Sequence, residues 1–281
     1  MTTQTAARVP PESSAGAAAD PVVQSIAFVD RADDPRPAVV HLPASTVRAV
    51  VVGERQAGAA ADPAADLALL VVPTHAGDAD GPSPDVLAWV GAGGPAQMIV
   101  LHGAAVAWAP GRAAVLVELA RLDAVRAAVV EFCFHERELR SIEADVSAGW
   151  PDVEADAPLA FEFRDRDADR RRTLGERFRK TVGLRARLAR LAPHLERPPL
   201  HPPTLASQVG ERLRERSRMV ERAGFLDAQI EVRERVYDLC GQRSSEWGIA
   251  RKSTSMEWAI VILLALETVL IVVDMLASRG T

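Results

Sequence analysis

Hydrophobic positions along this chain change their period as it proceeds. From residue 22 to about 110 they come in short runs rich in β-branched residues, bounded by Gly, Pro and Asp. Residues 22–30, 38–42, 46–53 and 67–74 therefore read as strands. Ser83 before Pro84 marks a short helix over 83–90, with Ser83 as cap and proline in the first turn. Residues 98–108 read as two strands broken near Gly103. Pro110 and Gly111 are expected to open a helix over 112–122.

From Leu122 the spacing becomes helical. Leu122, Val125, Val129, Phe132, Glu136, Leu139, Glu143 and Val146 follow three- and four-residue steps, with Ile142 beside the seam. Trp150-Pro151 ends that helix. A charged segment then begins at Arg164 and continues as a helix to near Leu191. Pro193, Pro198, Pro199, Pro202 and Pro203 mark a turn. Residues 204–242 read as one long helix with an approximate seam of Leu205, Val209, Leu213, Val220, Ala223, Leu226, Ile230, Tyr237 and Cys240. Arg216 and Arg233 interrupt the seam, and Gly210 and Gly224 weaken it. Two helices about a proline-rich turn predict a hairpin or coiled coil. The seam packs against the same chain or against a second copy. The helix then continues, through a break at Gly241 or Gly248, into the last apolar run.

That run occupies residues 256–277 and is apolar from Trp258 to Ala277 except for Glu267, Thr268 and Asp274. Twenty helical residues at ~1.5 Å each span ~30 Å, the thickness of a bilayer's hydrocarbon core. A core helix of a soluble protein rarely needs so many consecutive Ile, Leu and Val residues without a polar stripe. A charged Glu267 at mid-bilayer costs ~2.5–3.5 kcal/mol. Ile260, Ile262, Leu263, Leu264, Leu266, Leu270, Ile271 and Val272 each return ~0.3–0.6 kcal/mol on the same scale, so insertion wins. Ile260, Leu264, Glu267, Ile271 and Asp274 share one face, suited to a helix–helix contact in an oligomer. Arg251 and Lys252 precede the run and Arg279 follows it, which puts the body in the cytoplasm and the short C-terminus on the far side of the cell membrane.

Composition agrees with a soluble body carrying one span: of 281 residues, 48% are hydrophobic and 25% charged. Residues 1–160 hold 10 basic and 21 acidic side chains, whereas residues 161–281 hold 23 and 17, so the half next to the span is the basic one. That suits a cytoplasmic face over anionic lipid. Residues 1–20 lack the apolar core of a signal peptide and read as a disordered tail. Cys133 and Cys240 are the only cysteines and read as two buried free thiols in a reducing compartment.

No stretch spells out a reaction, and no catalytic residue, cofactor or metal is expected. Gly91-Ala-Gly-Gly-Pro95 fails the spacing of a phosphate loop and reads as a turn. His41, His75, His102, His194 and His201 are scattered, without a paired-histidine motif. His135 reads as an interior or boundary histidine, and Glu136 and Glu138 beside it as part of a solvated helix face. Residues 164–190 contain 11 basic and 4 acidic side chains. The segment reads first as a solvated helix with internal pairs, and second as an anion-binding face built on Arg170, Arg171, Arg172, Arg177 and Arg179.

The C-terminal third resembles a known family. Residues 236–246, then Arg251-Lys252, then the run from Met256 through Glu257, Trp258 and Glu267 look like the end of the family named for requirement in meiotic nuclear division. There a Leu-Glu-Trp run enters a hydrophobic segment holding a second Glu about ten residues on; here Met256 replaces the Leu. His102-Gly-Ala-Ala-Val-Ala-Trp108 is similar to that family's Tyr-Gly-Val-Val-Val-Phe-Trp segment. The resemblance implies a membrane protein without known catalytic residues. Some eukaryotic members tether ribosomes at the mitochondrial inner membrane.

The expected architecture is α+β. It comprises a tail (1–20), a mixed α/β domain (21–121), a helical region with the basic segment (122–200), a long helix or coiled coil (201–255) and one transmembrane helix (256–277) with the signature Glu257, Trp258, Glu267 and Asp274. The expected role is a noncatalytic membrane-anchored scaffold whose partners are the lipid bilayer and further copies of itself. One alternative is an RNA- or ribosome-associating tether using 164–190. Another is a subunit of a membrane enzyme or transport complex using Glu267.

Overall fold

A computed structural model describes residues 20–30, 36, 38–42, 47–56, 65–75, 81–197 and 201–279, with His41 and the last eight of these as backbone only. The expected N-terminal tail and the Pro198-Pro199 turn lie outside the described residues. The chain folds as two units. One runs up to residue 137 and includes 197–218; the other combines 138–196 with residues from 219 onward.

In the first unit seven strands form one mixed sheet. They are β1 (Val22–Asp30), β2 (Ala38–His41), β3 (Val47–Gln56), β4 (Leu67–Thr74), β5 (Gln97–Leu101), β6 (Ala104–Ala109) and β7 (Arg112–Glu118), in the order β2-β3-β1-β4-β7-β6-β5. Neighbours pair antiparallel except β4 and β7, which are parallel. Strand side chains alternate between faces. Ala105, Ala107 and Ala109 of β6 join Ala114, Leu116, Leu70 and Val23 in a cluster covered by Val86, Leu87, Val90 and Trp89 of α1 (Pro84–Gly91). The small alanines let α1 approach the sheet. The opposite face of β6 turns Trp108 edge-on to Phe132 of α2 (Leu119–Ala148), with ring centroids 5.5 Å apart. Phe28 of β1 meets Phe134 of the same helix at 5.1 Å.

The expected strands and the Ser83-capped helix are all present, and the Ser83 hydroxyl accepts from the Val86 amide at 3.4 Å. The helix expected over 112–122 is corrected: Arg112–Glu118 is a strand, and α2 starts at Leu119. Pro110-Gly111 is the two-residue turn of the β6–β7 hairpin, because Ala109 pairs directly with Arg112. Gly111 has φ +73°, and a Pro-Gly order is what a type II turn requires. Its sister hairpin, β5–β6, turns on His102 and Gly103, both at positive φ as a type I′ turn demands. The run Ala113–Val117 is buried on both faces between β4 and β6, so it carries no polar alternation to mark it as a strand.

The α2 seam is present, with Val125, Val129, Phe132, Leu139, Ile142 and Val146 buried. His135 is buried as expected. Glu136 is buried too, which corrects its assignment to a solvated face. The helix stops at Ala148, and Trp150-Pro151 begins a short helix α3 (Trp150–Asp156) rather than simply ending one. Of the two thiols, Cys240 is buried and Cys133 partly so; both are free.

The second unit is helical. Its long elements are the end of α2, α4 (Arg170–Leu195) and α6 (Met219–Arg279). Buried positions on α4 are Leu174, Thr181, Leu184, Leu188, Leu191 and Leu195; on α6 they are Met219, Leu226, Ile230, Arg233, Tyr237, Cys240 and Ser244. Both sets follow three- and four-residue steps, the geometry that keeps one stripe facing a partner. Leu174 clusters with Tyr237 and Cys240, while Arg185 reaches Glu234 at 2.9 Å and also bonds Asp227, so the two helices run antiparallel. The seam of residues 219–244 is therefore satisfied within the chain.

Three expectations change here. The helix over 204–242 is two helices: α5 (Leu205–Arg216) belongs to the first unit, and α6 begins at Met219. The break is Ser217-Arg218, where Arg218 takes φ +50°, a left-handed helix end made without the usual glycine. The hairpin therefore pairs α4 with α6 and leaves α5 out. Pro193 lies inside the last turns of α4, and Gly241 and Gly248 do not interrupt α6.

Replacing Gly111 with Val should lower stability by roughly 1–2 kcal/mol, since a β-branched residue there must take left-handed φ. Urea unfolding reads this as a lower midpoint with an unchanged slope.

Candidate functional site

Two features stand out in the second unit, one on α6 and one on α4. The first is the far end of α6. Among the described residues α6 is the one helix long and apolar enough to cross a membrane, and none of its most apolar window is buried. Trp258 is 64% exposed, Leu263 64% and Ile271 61%, although the same helix buries Ile230 and Cys240 completely. Glu257 and Glu267 are exposed on the same stretch, and the Glu257 carboxylate accepts from Ser253 Oγ at 3.4 Å. Thr268 Oγ1 donates to the Leu264 carbonyl at 2.8 Å, so this hydroxyl is satisfied within its own helix. Asp274 lies on the same helix, in the part described as backbone.

The second feature is the arginine segment, and its members divide. Arg170 and Arg177 both bond the carboxylate of Asp156, the last residue of α3, which has no exposed surface. Arg177 also reaches Asp152 at 2.7 Å. Burial works against the Arg177 charge, but the hydrogen bond that it donates to Asp156 and the charge of that carboxylate more than offset this and hold the guanidinium above its ordinary range. Arg172 pairs with Glu176 one turn on, at 3.0 Å, and Arg179 donates to the Gly175 carbonyl at 3.3 Å. Arg171 is exposed beside Gly248 of α6: a Cβ placed on that glycine would lie 3.7 Å from its Nη1. The five arginines are thus not one face. Two hold α3 to α4, two are occupied locally, and one points to α6.

Asp156 and Arg233 are the residues that sequence reasoning passed over. Arg233 sits on the buried seam of α6 and donates from Nη1 to the Val146 carbonyl at 3.3 Å. Gly149 makes room for it, since a Cβ there would come within 2.6 Å of the guanidinium. The interruption of the seam by Arg233 was a visible signal of a buried polar contact. Asp156 had no signal, because its partners come from 14 and 21 residues away. Cys240 Sγ contacts the Asp156 carbonyl at 3.6 Å, and Tyr237 lies alongside, its hydroxyl raised in pKa by burial and then by the Asp156 charge.

Two clefts lie among the described residues of the first unit. A groove of about 410 Å³ lies between β5 and the end of α5, lined by Met98, Val100, Arg212 and Arg216. A smaller cleft of about 230 Å³ lies between α2 and α5, where Arg197 reaches Glu131 at 3.3 Å and burial lowers the pKa of Arg214. The Gly91–Pro95 stretch forms the turn after α1, as expected.

No family model, curated protein or solved structure is matched by this chain. The resemblance at residues 236–267 therefore rests on those residues alone.

Replacing Asp156 with Ala leaves two guanidinium groups facing each other. Because Arg170 and Arg177 keep 42% and 26% exposure and can turn to water, the loss should be roughly 1–3 kcal/mol, read as a lower urea midpoint. Burial, then the charge of Glu136, pushes the Cys133 thiol up to about 12; burial, then Asp156, pushes Cys240 up to about 11. Since the thiolate is the nucleophile, both should react with an aromatic disulfide reagent at pH 8 roughly a hundredfold or more slower in the native chain than in urea.

Proposed function

We propose that this chain is a noncatalytic scaffold anchored in the cell membrane by the last part of α6, holding its two folded units on the cytoplasmic side. The observation that carries this is the contrast along one helix. Up to Trp247 the helix buries one apolar stripe in the same chain and leaves only Val220, Phe225 and Val232 exposed among its large apolar side chains, whereas residues 256–271 expose large apolar side chains throughout. Full burial of a Leu or Ile side chain is worth ~1.5–3 kcal/mol, so an uncovered run of this length needs an apolar phase. Arg251 and Lys252 before the run support a cytoplasmic body. The alternating steps on α4 and α6 support an antiparallel coiled-coil pairing within the chain. Contacts between copies are then left to the span, where Ile260, Leu264, Glu267 and Ile271 share a face. The resemblance to the meiotic-division family is consistent with a tether.

An RNA- or ribosome-binding tether draws less support. Arg170 and Arg177, two of the arginines it would use, are committed to Asp156.

The full chain should stay in the membrane pellet after an alkaline carbonate wash, and a chain ending at Ser255 should be released. Protease added to sealed inside-out vesicles should digest both units. Release of the full chain by carbonate would refute the anchor, and protection of the units in that orientation would refute their cytoplasmic placement.

A further inference from the structure

The scaffold proposed above makes no use of the cleft of about 230 Å³ between α2 and α5. Small residues open it. Ala124, Ala127 and Ala128 of α2 and Gly210 of α5 line it, and a Cβ placed on Gly210 would stand 3.9 Å from that of Ala128. Side chains this short let the two helices approach without filling the space beside the contact. The buried Phe132 continues the apolar wall made by the alanines.

Two carboxylates and two guanidinium groups also line the cleft, so the signs are equal in number: Glu131 and Glu211, Arg197 and Arg214. They are not equally engaged. Glu131 is taken by Arg197 at 3.3 Å. Glu211 and Arg214 are both half-buried, and neither forms a hydrogen bond or ion pair among the described residues. The remaining polar groups are occupied: Thr204 and Ser207 cap each other at the start of α5, and the buried His135 has a partner of its own.

Glu211 precedes Arg214 by three residues, a spacing that puts Cβ atoms ~5–6 Å apart on one helix face. Such a pair ordinarily closes onto itself, as Arg212 and Glu215 do at 2.8 Å on the exposed side of the same helix. Arg214 instead lies back into the cleft, its Nη1 3.5 Å from where a Cβ on Gly210 would stand. Burial holds its guanidinium below the ordinary range, and the charge of Arg197 acts in the same direction, so the nearby glutamates do not make up for the water it has lost.

A half-buried guanidinium with open donors and a carboxylate one turn away ask for opposite charges. A ligand with one charge satisfies one of them and leaves the other unmatched. A ligand that carries both signs a carbon apart satisfies the two together. The volume lies below the ~300 Å³ at which sites for drug-sized molecules begin, so that ligand is small. We propose that this cleft binds a free α-amino acid with a short aliphatic side chain, its carboxylate on Arg214, its ammonium on Glu211 and its side chain against the alanines of α2. Bound there, it joins two helices far apart in sequence and stabilises the first unit.

Isothermal titration of the purified full chain with L-valine over ~0.01–10 mM should show one site. Isovalerate, which lacks the ammonium, and isobutylamine, which lacks the carboxylate, should each bind roughly tenfold or more weaker, since each leaves a charged group without a partner. This comparison needs no variant to fold. R214Q and E211Q should weaken L-valine binding by a similar factor, and R212Q, which changes the exposed pair of the same helix, should keep it. No binding of L-valine overturns the proposal. Isovalerate binding as tightly as L-valine overturns it too and leaves a site for simple anions. Binding that survives both R214Q and E211Q places the amino acid elsewhere and has the same consequence. None of these results bears on the anchor, which the carbonate wash tests separately.

Discussion

Apolar side chains on a helix have to be covered, and α6 faces that demand over 61 residues, ~90 Å of continuous helix. Its first half meets the demand inside the chain. Leu226, Ile230, Tyr237 and Cys240 recur at the steps that keep one stripe against α4, and the exposed side of the same turns is mostly polar, with Phe225 and Val232 as exceptions. Beyond Gly248 the stripe disappears. Ile260, Val261, Ile262, Leu263 and Leu264 are apolar all round, a pattern that no single packed face can serve. The two halves thus ask for different surroundings while sharing one backbone, and the membrane proposal follows from that conflict.

The polar groups within the second unit fit the same constraint. Arg233 and Ser244 occupy seam positions where an apolar residue would serve burial better. Arg233 is accommodated by Gly149 and by the carbonyl of Val146 near the end of α2, which accepts from the Gly149 amide as well. Asp156 plays the matching part for α3. Its carboxylate gathers Arg170 and Arg177 from the start of α4 and so fixes where α4 begins. A buried charge pair adds little net stability over an apolar replacement, but it does discriminate against shifted registers. An arginine-rich segment that looks uniform in sequence is therefore divided by geometry into arginines that hold the fold and arginines left for the surface.

Much of the fold was legible because its signals are local. Ser83-Pro84 marked α1, Gly103 marked a hairpin, and the seam from Val125 to Val146 marked α2. The misread elements depend on neighbours far away in sequence. Ala113–Val117 is buried on both faces of a central strand, so it has no alternation, and its alanines imitate a helix. Ser217-Arg218 breaks a helix with residues that carry no breaker signal, and only the left-handed φ of Arg218 reveals it. Glu136 is buried although its neighbours suggested a wet face. For the candidate site, the apolar run of α6 and Arg251-Lys252 before it were readable as pattern and charge. The partition of Arg170 to Arg179 was not, because it depends on Asp156, whose burial is a property of the assembled unit.

The continuity of α6 gives these observations a mechanical consequence. Gly241 and Gly248 are the places where a break was expected, and each costs a helix ~1 kcal/mol relative to alanine. The helix nevertheless passes through both, and at each a contact bridges the weak turn: Cys240 is held at the Asp156 carbonyl, and Trp247 is held by Phe163, Asp165 and Arg251. A helix without a hinge transmits position. From Trp247 to Trp258 there are eleven residues, ~16 Å of rise. In the proposed anchor, that length sets the height of the second unit above the hydrocarbon. A flexible linker would let the body diffuse over a wide range of heights and angles. A stiff one of three turns confines it to a narrow range of heights and angles above the headgroups.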